Sequence, residues 1–219
     1  MVVTILMDAR GLCVVAVSVA AVAGGLTGCG SEAEPVETPL FSGMSDSCAK
    51  LAAPAMDAIR QSTGNLFSAD VAFEDEGNQP ASEPGQSVKV CGALYLASPI
   101  HVGTHLMNAA ERRFITLTFS LHSDDDAVAS AKHQFGFVRD QVKGRTTSGL
   151  GDESLEGANG SVKVTRAITA FRKSNAVVDV AVSGLDSSGK DVEVSELEPG
   201  SRSIARALAD NIGAAFNLE

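Results

Sequence analysis

The residues able to do chemistry are few and scattered, so each group has to be weighed by type and spacing. His101 and His105 stand four apart, the interval at which two imidazoles on one helical turn can share a metal ion. Gly103 lies between them and Pro99 precedes them, which makes the segment a loop, and Val102 stands where the metalloprotease pattern needs a Glu. Both are read as surface histidines. His122 and His133 flank a strand–helix junction and are read as solvent-facing or capping residues. Asp124, Asp125 and Asp126 supply carboxylates, but the alternating acids, Gly and distant Glu of a calcium loop are missing. Three acids at a helix start are explained by the positive end of the helix dipole. Gly149 and Gly151 do not make a phosphate cradle on their own, because Ser154 stands where a third Gly belongs; a turn needing positive φ accounts for them. There is no G-x-S-x-G elbow, which leaves only a Ser–His–Asp set assembled in space as a route to nucleophilic catalysis. No catalytic residue, metal site or cofactor is assigned.

The cysteines carry more. Gly11 to Leu26, GLCVVAVSVAAVAGGL, is uncharged and falls short of the ~20 residues that span a bilayer as a helix. It follows Arg10 and ends in small residues, the layout of a secretory signal. The next residues, Leu26-Thr27-Gly28-Cys29, resemble the bacterial lipobox. There a thiol behind small residues takes a diacylglyceryl group and becomes the first residue after cleavage. The expectation is a signal over residues 1–28 and lipidation at Cys29, with two acyl chains giving stable attachment to the plasma membrane. Cys13 leaves with the signal. Cys48 and Cys91 remain in an exported, oxidising setting and are expected to form one disulfide; two buried free thiols or a metal pair are the alternatives, the latter without any CxxC spacing.

The elements must follow from composition and period. The 219 residues carry 44% hydrophobic and 20% charged side chains, a globular balance, with a formal net charge of -10 that argues against a nucleic-acid partner. Without Trp and with one Tyr, platforms for stacking bases are scarce. Residues 30–47 hold Glu32, Glu34, Glu37 and Asp46 with no Lys or Arg, and together with Cys29 read as an acidic flexible tether over 29–47. The globular domain is placed at 48–219. It opens with a helix after Pro54 that Gly64 can end. A strand somewhere in 65–73, a loop over 74–86 and a strand over 87–96 follow. Residues 113–122 alternate, with Ile115, Leu117, Phe119 and Leu121 on one face and Thr116, Thr118, Ser120 and His122 on the other, which predicts an antiparallel sheet. Ser123 is expected to cap a helix whose apolar stripe is Ala127, Ala131, Phe135, Val138 and Val142. Residues 145–160 read as a loop, 162–171 and 176–182 as a hairpin, and 185–199 as a polar connection. A last helix starts near Ser201, with Ile204, Leu208, Ile212 and Phe216 at four-residue intervals. The order predicts one α+β domain, an antiparallel sheet packed with helices.

LTGC at the lipobox, the acidic tether, Cys48 with Leu51, Cys91 on a strand, the GLGDE turn at 149–153, RKSNAVVDVAV and the closing Ala-Leu-Ala helix together resemble a broad group of actinobacterial envelope lipoproteins. The layout is also similar to extracellular sensor domains of mycobacterial-type Ser/Thr kinases. The resemblance implies a cell-surface binding or accessory role on the extracytoplasmic face and no defined catalysis. The partners expected are the membrane, through the lipid, and an apolar or envelope-derived ligand or a protein. An envelope hydrolase with an unrecognised active site, or a scaffold or sensor accessory, are the alternative readings.

Overall fold

The computed structural model describes residues 4–7, 13–16, 37–68, 73–75, 84–97, 111–161 and 164–218. They belong to two units, residues 1–36 and 37–219. In the first, β1 (Thr4–Met7) pairs antiparallel with β2 (Cys13–Ala16). Most of the expected signal, and Cys29, lie outside the described residues.

The second unit is an α+β fold on an eight-stranded antiparallel sheet. Strand β3 (Phe41–Met44) leads into α1 (Cys48–Ala52), a 3-10 turn (Ala53–Ala55) and α2 (Met56–Thr63). Then come β4 (Phe67–Ser68), β5 (Glu74–Asp75), β6 (Gln86–Leu96) and β7 (Arg112–His122). Helix α3 (Ala127–Gln141) carries the chain to the far edge, where β8 (Lys143–Thr147), β9 (Glu153–Ser161), β10 (Val164–Lys173) and β11 (Ala176–Leu185) meander back to pair with β7. Helix α4 (Val194–Asp210) and β12 (Phe216–Leu218) close the chain. The sheet order is β4, β6, β7, β11, β10, β9, β8, with β5 beside β4 on the outer side of β6. Among the described residues no helix is long and apolar enough to cross a membrane.

The period of two decides which side chains face which helices. Ile115, Leu117 and Phe119 of β7, Val178, Val180 and Val182 of β11, and Ala167 and Phe171 of β10 form the larger core with Leu51, Ile59, Ile204 and Leu208 from α1, α2 and α4. Ala170, Val177 and Leu155 face the other way and pack under Ala131, Phe135 and Val138 of α3, with Val142 just past its end. The alternation of β7 and the stripe of α3 are therefore as the sequence predicts.

Several boundaries move. The folded unit begins at Glu37, ahead of Cys48, because Phe41 is buried against Phe216 and β3 pairs with β12; residues 37–47 are part of the fold and not a tether. The expected loop over 145–160 contains the end of β8, the GLGDE turn and most of β9, and their polar side chains hid the strands. Helix α4 begins at Val194, inside the expected connection. It tolerates Pro199 because the missing amide would have bonded to the carbonyl of Ser195, an exposed residue in the first turn of the helix. The same helix ends at Asp210, where the Asn211 side-chain amide donates to Ala207 O at 2.9 Å, so Ile212 lies in a 3-10 turn and Phe216 on β12. Ser123 does not cap α3; its hydroxyl donates to Gly85 O, and the Asp124 carboxylate instead accepts from Asp126 N and from the Ser130 hydroxyl.

Two bonds hold helices to the sheet covalently or by charge. Cys48 and Cys91 form the expected disulfide, Cα atoms 5.5 Å apart, tying the first residue of α1 to the middle of β6. On α4, Arg202 forms an ion pair with the buried Glu156 of β9, which also takes Arg145 of β8 at 3.3 Å. The hydrogen bond from Arg202 holds the Glu156 carboxyl below its ordinary range, against the opposing effect of burial.

Replacing both Cys48 and Cys91 by Ala removes a constraint on a long unfolded loop and should lower unfolding free energy by about 4 kcal/mol, measured as a denaturant midpoint. Glu156 has a folded pKa below its unfolded one. Its contribution is present above the unfolded value and fades as pH falls through the folded one. Glu156→Gln should therefore cost about 1–3 kcal/mol near neutrality and little in strong acid, by denaturant titration across pH.

Candidate ligand-binding cleft

Arg113 is the second residue of β7, on the face covered by α2 and α4 and at the end of the strand remote from His122. In register it lies between Tyr95 of β6 and Gly184 of β11. Its Nη1 donates to Leu185 O at 2.9 Å and to Arg112 O at 3.0 Å, which fixes the direction of the guanidinium. Gly184 is required beside it: a Cβ there would stand 2.4 Å from Arg112 O and 2.8 Å from Arg113 Cδ. The side chain is 18% exposed, and its nearest carboxylate, Glu111, is 4.0 Å away. A guanidinium keeps its charge at any accessible pH, so this is a permanent, aimed cation.

The cation lines two adjoining depressions. One, of about 360 Å³, runs between α2 and α4 and is walled by Ser62, Glu196, Leu197, Gly200 and Ser203. The other, of about 410 Å³, follows the end of α2 past Thr63, Asn65 and Leu66 to Ala97 and Glu111. Gln61, Ser62 and Arg113 belong to both. Below them burial pushes the Tyr95 phenol up, and the positive charge of Arg60 opposes that. Volumes of this size suit a small polar molecule. The cleft combines one guanidinium, the amides of Gln61 and Asn65, several hydroxyls and the carboxylates of Glu196 and Glu111.

The residues singled out by type lie elsewhere. His101 and His105 are outside the described residues. His122 does not face solvent: it is fully buried on the α3 side of β7, and the imidazole Nε2 lies 2.8 Å from Gln134 Oε1. The Gln134 amide donates to Ser120 Oγ at 2.9 Å, so Oε1 is the acceptor for His122, whose Nδ1 is left without a partner. His133 is exposed on α3, whereas His122 is buried. Among the described residues no three His, Cys, Asp or Glu side chains converge as a metal site requires.

The GLGDE turn joins β8 to β9 and is followed by a strand, not by the helix of a nucleotide site. Leu150 drops into the core. Gly151 has φ +60°, and a Cβ on it would meet Arg172 O at 2.3 Å. Asp152 accepts from Ser174 N at 2.7 Å and from Lys173, and Glu153 pairs with Arg172 at 2.8 Å. Partial burial raises the Asp152 pKa, but the Ser174 amide and the Lys173 ammonium outweigh it and hold the carboxyl below its ordinary value. The motif is a clamp on the β10–β11 turn.

Asp179 breaks the apolar run of β11. It lies on the α3 side, between Thr118 of β7 and Ala170 of β10, and its Oδ1 is buried without a hydrogen-bond partner. Burial pushes its pKa up from 3.8 to about 7. The sequence carried one signal for it, a lone acid inside AVVDVAV. For the cleft it carried none that is local, since Arg113, α2 and α4 meet only on folding.

Because the folded pKa of Asp179 is above the unfolded one, the neutral side chain is favoured by the fold. That stability is complete below 3.8 and is lost as pH rises through about 7. Asp179→Asn should leave stability near pH 4 almost unchanged and raise it by up to about 4 kcal/mol at pH 8, read from urea melts at the two pH values.

Compared with known proteins, the chain matches no family, no curated protein and no solved structure, and the reading of the cleft rests on its own geometry.

Proposed function

We propose that the chain is an extracytoplasmic lipoprotein, held on the plasma membrane through Cys29, whose folded unit is a binding or accessory module of the cell envelope. The observation that carries this reading is the buried Cys48–Cys91 disulfide, which fixes α1 to the sheet. Disulfides of this structural kind belong to compartments on the oxidising side of the membrane. It agrees with the uncharged run of residues 11–26 and with Leu26-Thr27-Gly28-Cys29, both of which address the chain for export. The cleft beside Arg113 supports a recognition role, because it offers fixed hydrogen-bonding and charged groups to something small.

Expressed at natural level, the chain should partition with membranes, and its first peptide should carry a thioether-linked diacylglyceryl group by mass spectrometry. Cys29→Ala should move it to the soluble extracytoplasmic fraction or leave an uncleaved precursor. A cytosolic product with reduced Cys48 and Cys91 and no lipid on Cys29 would overturn the reading.

A further inference from the structure

From the charges that line it, we propose that the Arg113 cleft binds a small zwitterion, a free amino acid or short peptide, with its carboxylate on Arg113 and its ammonium toward Glu196. The proposal rests on the reading of the folded unit as a binding module and names the chemistry of its ligand.

The balance of charge selects this class. The walls bring one guanidinium and two carboxylates, Glu196 in the first depression and Glu111 in the second. A simple anion would meet Arg113 and be repelled by both acids. A simple cation would compete for the acids and leave the guanidinium, whose nearest counterion is Glu111 at 4.0 Å, still short of a direct partner. A molecule that carries both charges satisfies each in turn. Arg113 is suited to the carboxylate because Nη1 is already committed to the Leu185 and Arg112 carbonyls, so the rest of the fork is held in one orientation. Glu196 forms no ion pair among the described residues. It stands in the first turn of α4, the element that forms the opposite wall.

The neutral lining agrees with a peptide-like body. Gln61 presents a donor and an acceptor, Ser203 a hydroxyl, and Ser62, whose hydroxyl donates to Ile59 O at 2.9 Å, an acceptor, together the complement of an amide group. Leu197 and Val182 give the first depression an apolar patch for a small side chain. The walls are also set firmly in place. Ser201 of α4 hydrogen-bonds to Thr169 Oγ1 at 2.9 Å and to Val180 O at 3.0 Å, next to the cleft-lining Gly200 and Ser203.

The test uses the full chain purified into detergent-free nanodiscs of neutral lipid and titrated by calorimetry. The panel is the common free amino acids and dialanine, with N-acetyl-dialanine and dialanine amide as blocked controls. At least one panel member should bind, and blocking either end of dialanine, or of the amino acid that binds, should weaken it about tenfold. Glu196→Gln should weaken the free ligand about tenfold and leave its N-acetyl form unchanged, while Arg113→Gln should do the converse with the amide. Should Arg113→Gln fail to fold, the Glu196→Gln pair of titrations still decides. No heat from any member at about 10 mM, or equal binding of the free form and either blocked form, overturns the proposal. Those outcomes are independent of whether Cys29 carries lipid, so failure of this inference and failure of the anchored-module reading are told apart.

Discussion

The fold depends on one buried amide. Asn175, in the two-residue turn between β10 and β11, donates to Phe41 O at 2.8 Å and to His122 O at 2.7 Å. Its Oδ1 accepts from the backbone amides of Leu40 and Phe41, each at 3.2 Å. One side chain thereby binds the start of the folded segment, the end of β7 and the hairpin turn. Removing it would leave buried backbone groups unpaired, at about 1–3 kcal/mol for each. The turn is braced from outside by the clamp of Asp152 on Ser174 N, while Arg172 donates to Ser174 O at 2.9 Å and pairs with Glu153. Ser174 needs this support, since it sits at φ +52°, a conformation that side chains other than Gly rarely adopt.

The two faces of the sheet are stabilised differently. On one, α1, α2 and α4 bury branched and aromatic side chains, reinforced by the disulfide and by Glu156. On the other, α3 covers a strip that includes polar residues. Ser120, Gln134 and His122 form a short hydrogen-bonded chain there, and both His122 Nδ1 and Asp179 Oδ1 lack partners. Unsatisfied buried groups are few in native proteins and each weakens the contact that covers it. The α3 layer is thus the more weakly held of the two, and it loses stability as pH rises through the Asp179 range, whereas the other layer loses the Glu156 contribution in acid.

What could be read in the sequence was whatever repeats locally. β7 alternates without a break, and the stripe of α3 runs at helical spacing, so both were legible. The edge strand β8 and its neighbour β9 were not, because KGRTT and much of ESLEGANGS are polar on both faces and derive their strand state from pairing. Pro199 argued for a helix start near Ser201, although Leu197, a turn earlier, is buried with the core. Phe216 fitted a helical interval by chance; its place is set by the ring of Phe41, whose centroid is 5.3 Å away, a contact spanning nearly the whole chain. Phe41 itself sat in an acidic stretch with no period to mark it. The cleft joins residues from β7, α2 and α4, and no window of sequence holds all three.

Pairing of β12 with β3 sets Leu218 opposite Phe41, so the folded unit starts and finishes at one pole, the pole of Asn175. Arg113 lies at the other end of β7, nine strand steps or about 30 Å away. A fluorescent protein or affinity handle appended after residue 219 therefore emerges far from the mouth of the cleft, and the unit can be tethered to a sensor chip by that end without crowding Arg113.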